Sequence, residues 1–549
     1  MIAMRQLINK HIAIIILIFI IGAYLVIKAV PENSWDGWGV GSTQTMLSNK
    51  HWVEDGFFKN YFLFLPQGYS KTVQYFDDPE LRQHARGITT GGFIGKRLYY
   101  THYPSGYLLP TTILMKLGLE ERAWFRFLEI LFSLVALVFL YWIFLMISNR
   151  LVAILGVLYY GISVLFLDYA DTLANQPIDE FLRFAIIALS IAVLNYRKHY
   201  LNFIIWILYF ILALSSYDST FFIFAWLIGL DLIIAKKIEW KKWLVWTLAP
   251  ILAFTVQILQ NTLYLGWHNM LFDLYGAFKV QMVGSRSGFL VSHLKRLIEP
   301  FSWFFGVKWY LGIFISILGI SGFWFIQKHS NLEYFHNSNY GSKTIRYMIL
   351  GFLAILFNFL FFPSLFFYQG RMVAIFAALL IGSLTVVSVK ALVQKEFRVN
   401  TKIIISIIFI TVLSLWLIQT KRTYTYIKQW PNNVWPQASI DFDKKIKSLV
   451  SGNKVIFELL GPEREVSGAD RYPMAASEDE YYTDAPILGF TNAEDLIRDF
   501  NYLKNRSEFP FSAIIITDKK EVTDKISKKL GIKTPASQID SRHILIISE

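Results

Sequence analysis

Four short stretches of the chain concentrate side chains able to do chemistry. In "ENSWDGWGVG" (32–41), Asp36 stands between Trp35 and Trp38 among glycines. A carboxylate so placed is able to take a proton from an attacking hydroxyl, or to help hold a divalent metal. The glycines admit close approach of a ligand or another backbone, and the indoles offer faces to a sugar or anchors at a membrane interface. The plainer alternative is a solvated acid in an interfacial loop. "RLYYTHYPSGYLLP" (97–110) sets His102 and Tyr103 on a rigid, partly apolar surface, either a binding surface or an interfacial aromatic belt. "LDYADTLANQPIDEFLRF" (167–184) brings Asp168, Asp171, Asp179 and Glu180 to the ends of two apolar runs. These acids either contact substrate or, for Asp179 and Glu180, favour a helix N-terminus by about 0.3–1 kcal/mol.

"FFYQGRMVAIFAALLIGSL" (366–384) carries Gln369 and Arg371. A guanidinium facing a cavity grips phosphate bidentately, whereas one facing lipid snorkels to the headgroups. Arg82, His84, Arg86, Lys96, Arg97 and Arg286 are weaker phosphate candidates. Cysteine is absent, which excludes disulfides and thiolate catalysis and leaves a zinc site only His and carboxylates. No glycine-rich phosphate loop or nucleotide-binding motif occurs.

The elements that must position these residues are apolar helices. The 549 residues are 54% hydrophobic and 17% charged, with 47 Phe, 29 Tyr and 17 Trp, and the mean hydropathy is +0.42. Runs near twenty apolar residues, enough to cross a hydrocarbon core of about 30 Å, predict about eleven spans, at 11–30, 125–147, 151–167, 181–195, 201–217, 219–235, 243–263, 308–326, 346–366, 371–389 and 402–419. The first is too long for a signal-peptide core and lacks a small-residue cleavage site, so it reads as a retained span. Arg5, Lys10, Arg150, Arg197, Lys198, "KKIEWKK" (236–242), the basic residues from Lys328 to Arg346 and those of "KALVQKEFRVNTK" (390–402) fall on one side. That side is the cytoplasm by the positive-inside rule. The net charge of +13 is then mostly topology, and no nucleic-acid partner is needed to explain it. The N-terminus is expected inside and the C-terminus outside, in a cell-membrane protein that crosses many times.

This orientation puts the long loop 31–120 outside, along with 264–307 and the shorter connections that carry Asp171, Asp179 and Arg371. Within the first loop, "STQTMLSNKHWVEDGFF" (42–58) is predicted as an amphipathic interfacial helix. From about 430 onward the pattern changes, with 16 Lys/Arg against 19 Asp/Glu. Strands are predicted at 454–460, 512–517 and 543–548, and helices at 493–505 and 520–531, the latter closed by Gly531. The expected architecture is an α-helical polytopic membrane domain, 1–425, that includes the external loop, followed by a small extracytoplasmic α/β domain, 426–549. That second domain reads as accessory recognition or plain structure.

A helix, an acid immediately outside it, a long first loop and "THYPSGYLLP" entering the second helix together resemble the GT-C superfamily. Within it the chain is most similar to the family 39-like polyprenyl-phosphate-sugar transferases, which include protein mannosyltransferases and bacterial lipid A aminoarabinose transferases. The resemblance covers residues 10–390 as architecture, and two short patches carry its motifs. It implies a catalytic acid at Asp36, often the first of an Asp-Glu pair. Gly37 follows here, so a paired-acid metal site lacks its second ligand, and a divalent metal stays an option with no cofactor certain. His102, Tyr103 and Pro104 match the family's His-x-Pro-Pro stretch, with Ser105 in place of the second proline; Pro177 with Asp179 matches its acid and proline before the fourth helix.

The implied activity is hexosyl or pentosyl transfer, with inversion, from a polyprenyl-phosphate-linked sugar to a lipid, glycan or protein acceptor. Asp36 is the expected base, and His102, Tyr103, Arg371, Gln369, Asp179 and Asp171 are the expected binding groups. A transporter or flippase would show internal repeats and broken helices at mid-membrane; no convincing repeat occurs, and Asp231, the acid within a span, lies close to a cytoplasmic lysine pair. A catalytically inactive scaffold of the same fold is the third reading.

Overall fold

The computed structural model describes residues 2–34, 39–54, 56–64, 101, 103–198, 200–271, 274–275, 289–329, 340–362, 367–393, 399–430, 437–449, 454–459, 483, 485, 487–490, 492–505, 512–532, 534–540 and 542–547. They fall into two compact units: 1–32, 123–257 and 277–433 form the first, and 33–122, 258–276 and 434–549 the second.

Helices dominate the first unit because its sequence is apolar over runs that bury every backbone N–H and C=O in intrahelical bonds, as hydrocarbon requires. Among the described residues, seven helices are long and apolar enough to cross a membrane: His11–Ala29, Arg122–Ile147, Trp240–Leu265, Leu311–Lys328, Gly341–Phe361, Phe367–Val393 and Lys402–Gln429. Shorter apolar helices run over Arg150–Gly161, Leu201–Ser215 and Thr220–Ala235. Asn175–Tyr196 forms a further helix, begun by the sequence that carries Asp179 and Glu180. Each predicted span overlaps one of these helices. Much of their outer surface is bare apolar side chain, such as Phe19, Leu263, Phe314 and Leu417, as lipid-facing helices need. The span Phe367–Val393 and the helix Asn175–Tyr196 are exceptions, almost wholly enclosed by their neighbours.

Two details position the site. Asn149 caps the helix Arg150–Gly161 by accepting the Val152 N–H, and Ser163 does the same for the short helix Val164–Tyr169 through Phe166. The span predicted at 151–167 is thus two helices with a break at 162–163. Beyond them, Gln369 and Arg371 lie on a 3₁₀ turn, Phe367–Val373, that leads into the helix Ala374–Val393. A Cβ at Gly370 would meet Leu165 Cδ1 at 2.9 Å and Trp303 Cβ at 3.2 Å, so any larger residue here would make both side chains shift.

The region 264–307 is not all loop. Phe289–Phe305 is a helix that buries Ile298, Phe301, Phe304 and Phe305, apolar positions at helical spacing that a loop would leave exposed. On the cytoplasmic side of the predicted topology, the span 220–235 ends in a π-helical turn, Leu230–Ala235. Its Asp231 accepts from Lys242 Nζ at 2.8 Å and from Trp243 Nε1 at 2.9 Å.

In the second unit, the helix Gly39–Glu54 is not the amphipathic interfacial helix expected. Met46, Leu47 and Trp52 are buried, and so are Ser48, Asn49 and His51, because the unit supplies polar partners on that side. Thr112 donates to Asn49 Oδ1 at 2.9 Å, Trp52 Nε1 to the Leu63 carbonyl at 3.0 Å, and Asn60 Nδ2 to the His51 carbonyl at 3.0 Å.

The C-terminal segment forms a mixed sheet in the order β2-β1-β3-β5-β4, with β1 Lys454–Leu459, β2 Ile487–Phe490, β3 Ser512–Thr517, β4 Ser537–Ile539 and β5 Arg542–Ile547. β1 pairs parallel with β2 and β3, and β5 antiparallel with β3 and β4. The helices Ala493–Asn505 and Lys520–Leu530 bury Leu496, Phe500, Leu503 and Ile526 against Phe457, Ile515 and Leu545. Gly531 closes the second of these helices in the left-handed conformation, at φ 69°. The three predicted strands and two predicted helices are all present. The edge strands β2 and β4, too short to give a sequence period, are additions.

Candidate functional site

Buried charge in the first unit is organised as three neighbouring clusters, each holding one of the acids singled out in the sequence. Asp171 is paired by two cations: Lys28 Nζ lies 2.7 Å from Oδ1, and Arg126 Nη2 contacts Oδ2. Lys28 also donates to the Leu167 carbonyl at 3.0 Å. All three side chains are fully buried. Beside them, Tyr426 donates to Asp168 Oδ1 at 3.0 Å.

Glu180 and Arg371 form the second cluster, an ion pair through Nη2 that is 1% and 3% exposed at its two ends. Tyr160 donates its hydroxyl to the other Glu180 oxygen and accepts from Arg371 Nε at 3.2 Å. Arg371 Nη1 donates to the Tyr169 carbonyl at 3.1 Å, and Phe166 lies under the guanidinium, 5.8 Å from ring centre to Cζ. A buried guanidinium held on three sides is not snorkelling to headgroups. Its counter-charge is Glu180, one of the acids that a helix N-terminus was expected to stabilise. The helix starts at Asn175, so Asp179 and Glu180 lie beyond its first turn, and side chains hold them instead.

The third cluster surrounds Asp179. Ser219 Oγ donates to Oδ2 at 2.7 Å, and Arg183, one turn along the same helix, reaches the same oxygen at 3.1 Å. Arg183 also donates to Ser219 at 2.8 Å. Oδ1 of Asp179, Oε1 of the nearby Gln176 and Nε of Arg183 have no partner, although all three atoms are buried. Their residues line a small cavity, about 270 Å³ of empty space counting its mouth, together with Asp218, Gln369 and Arg371. Gln369 Nε2 donates to Asp218 Oδ1 at 3.1 Å, and Asn175 Nδ2 and the Tyr368 hydroxyl approach Oδ2 at 3.3 Å each.

The fold therefore joins Arg371, Gln369 and Asp179 around one cavity, and it places Asp171 in the adjoining cluster. Tyr103 belongs to the second unit. It is half-buried, in a segment pinned on either side: Asn261 Nδ2 donates to the Thr101 carbonyl at 2.9 Å, and Ser105 Oγ donates to the Phe62 carbonyl. Asp36 and His102 lie outside the described residues, as do Arg82, His84, Arg86, Lys96, Arg97 and Arg286.

Sequence reasoning did not single out Lys28, Arg126, Arg183, Asp218 or Tyr160. A signal existed for the first three, since basic side chains inside apolar segments are costly in a membrane and almost always paired. Among the described residues, no group of three or more His, Asp or Glu is arranged to hold a metal ion. The acids described above instead meet guanidinium, ammonium, hydroxyl and amide groups.

This multi-helical membrane architecture with a small α/β segment is shared with solved structures. The chain is similar over 97% of its length, and 97% of the other's, to the crystal structure of ArnT from Cupriavidus metallidurans bound to undecaprenyl phosphate, with a TM-score of 0.52 at 10% identity. It is also similar to an Archaeoglobus fulgidus oligosaccharyltransferase tethered to an acceptor peptide, with a TM-score of 0.46 at 12% identity over 97% of this chain and 70% of that one. A third neighbour is AglB from the same organism, in complex with an inhibitory peptide and a dolichol-phosphate, with a TM-score of 0.47 at 11% identity over 93% and 70%. No family model and no curated protein matches the sequence.

Proposed function

We propose that the chain is a membrane glycosyltransferase that moves a hexosyl or pentosyl group, with inversion, from a polyprenyl-phosphate donor to an acceptor hydroxyl. The acceptor is a lipid, glycan or protein on the extracytoplasmic side. The observation that carries this reading is the fold shared end to end with an ArnT that binds undecaprenyl phosphate. The proposed topology has a cytoplasmic N-terminus and an extracytoplasmic C-terminus, with 1–425 as the transferase domain and 426–549 as an accessory domain.

In this mechanism the prenyl chain lies between helices, and the donor phosphate approaches the turn that carries Gln369 and Arg371. Three of the five Arg371 N–H groups are engaged by Tyr160, Tyr169 and Glu180, and two remain for phosphate oxygens. Asp36 takes the proton of the acceptor hydroxyl as its oxygen attacks the anomeric carbon from the face opposite the phosphate. The bond from that carbon to the phosphate oxygen breaks, and its electron pair leaves with the phosphate. Fixed cationic groups at that oxygen stabilise the growing charge, and holding both substrates together lowers the entropic part of the barrier. No step is routed through a metal.

The test is transfer from radiolabelled polyprenyl-phosphate hexoses and pentoses in membranes containing the full chain, with protein level followed by blot. The wild type should transfer label from at least one donor. Asp36→Asn should express normally and transfer about 10²–10⁴-fold more slowly, the usual contribution of a general base. Equal turnover by the Asn variant would remove Asp36 from the mechanism, and no transfer by the wild type from any donor would remove the activity.

A further inference from the structure

The cavity beneath Arg371 is furnished for a ligand that none of its own side chains satisfies. Asp179 Oδ1 and Gln176 Oε1 are acceptors, Arg183 Nε is a donor, and all three are buried without a partner. Asp179, Gln176 and Arg183 are 5%, 6% and 2% exposed. Burying a polar atom without a hydrogen bond is costly, and three such atoms belong to residues that line one cavity. Secondary structure does not require it, because Asp179 already has Ser219 and Arg183 on its other oxygen. The cost is recovered when something enters that both donates and accepts.

The charges around the cavity narrow what that is. Arg183 and Arg371 line it together with Asp179 and Asp218, so the wall carries two charges of each sign and favours a neutral ligand over a metal cation or an ammonium group. An unpartnered carboxylate oxygen in the same wall disfavours a phosphate or carboxylate, whose oxygens it would repel. A neutral hydroxyl satisfies both conditions, since it donates to Asp179 or Gln176 and accepts from Arg183. The narrow interior admits one or two hydroxyl-sized groups and not a whole sugar ring. Gln369 and Arg371 share the wall with Asp179, and under the proposed function they face the donor phosphate. The hydroxyls within reach are those of the sugar bonded to that phosphate.

We infer that Gln176, Asp179 and Arg183 form the subsite that reads hydroxyl groups of the donor's sugar. This inference rests on the proposed polyprenyl-phosphate reading. The subsite acts in specificity: a sugar with a hydroxyl at the right carbon fills it, and a sugar that is epimeric or deoxygenated there leaves the buried atoms unpaired. Sites that hydrogen-bond a substrate hydroxyl discriminate strongly against analogues lacking it, for that reason.

The test compares binding of undecaprenyl phosphate, and of a panel of undecaprenyl-phosphate hexoses and pentoses, to the full chain in nanodiscs. The variant is Gln176→Met, which removes an acceptor while keeping side-chain length and leaving the Asp179–Arg183 pair intact. The wild type should bind one member of the panel at least about tenfold more tightly than undecaprenyl phosphate alone. Gln176→Met should lose most of that gain while binding undecaprenyl phosphate as the wild type does. A variant that keeps the full sugar-dependent gain overturns the subsite, as does a wild type that binds the lipid phosphate without distinguishing any sugar. A wild type that binds no undecaprenyl phosphate overturns the donor reading itself, and the subsite with it. Loss of binding to lipid phosphate and to sugar alike, in a variant whose melting temperature is unchanged, would place Gln176 at the phosphate and also overturn the subsite.

Discussion

Arg371 shows how a single side chain changes meaning once its partners are known. From its neighbours in sequence it is a cation at the outer end of a span, suited to phosphate or to headgroups. In the folded chain it is one half of a buried ion pair with Glu180, so removing it alone confounds two effects. Arg371→Met should cost about 3–5 kcal/mol of stability, because it strands a buried carboxylate. The paired variant Arg371→Met with Glu180→Gln removes both charges and should recover most of the lost melting temperature. Undecaprenyl-phosphate binding to the paired variant should still fall about tenfold, because one charge-assisted contact is worth roughly 1.5–3 kcal/mol. Recovery of both stability and affinity would make Arg371 a structural cation only. Arg371, Gln369 and Asp179 were legible in sequence because a charged or amide group at the end of an apolar run stands out. Tyr160 was not, since an aromatic inside "VLYYG" is indistinguishable from core. The partnership of Lys28 with Asp171 spans 143 residues, and no local pattern encodes it.

At the scale of elements, the site depends on how closely two helices meet. Arg150–Gly161 carries Tyr160, and Ala374–Val393 continues from the turn that carries Arg371. A Cβ on Gly382 would sit 2.7 Å from the Val152 carbonyl oxygen and 3.2 Å from Gly156 Cα, and one on Gly156 would sit 2.9 Å from the Ala378 carbonyl oxygen. Backbone cannot swing aside as a side chain can, so these small residues set the spacing. Gly382→Ala should lower stability by roughly 1–3 kcal/mol, seen as a lower melting temperature in detergent; an unchanged midpoint would show that the helices separate freely.

In the helix Ala493–Asn505, Asp499 is packed with neither carboxylate oxygen hydrogen-bonded. Burial pushes its carboxyl up to about 7, against the opposing pull of Arg498. The unfolded value is about 3.9, so between these limits the folded state holds the extra proton. Stability from this group is therefore greatest at low pH and falls as pH rises towards 7. Asp499→Asn should raise the unfolding midpoint at pH 8 more than at pH 5, and an equal effect at both would refute the buried titration. The helices and central strands of this segment were readable because apolar periodicity is local. The helix Phe289–Phe305 was missed because Ser, His, Lys, Glu and Pro interrupt its apolar face, and burial comes from partners distant in sequence.

For the whole molecule, the hydropathy pattern carried the most information, since lipid forces every span to be a helix, and each predicted span contains a helix, the one at 151–167 broken in two. The division into two compact units, with 33–122 grouped with 434–549, had no sequence signature, because long-range contacts define it. Under the proposed function, Arg371 holds the phosphate of a polyprenyl-phosphate donor. The most direct measurement is a cryo-electron-microscopy structure of the full chain with undecaprenyl phosphate bound. The phosphate is expected within hydrogen-bonding reach of Arg371. A phosphate bound away from Arg371 would contradict that reading.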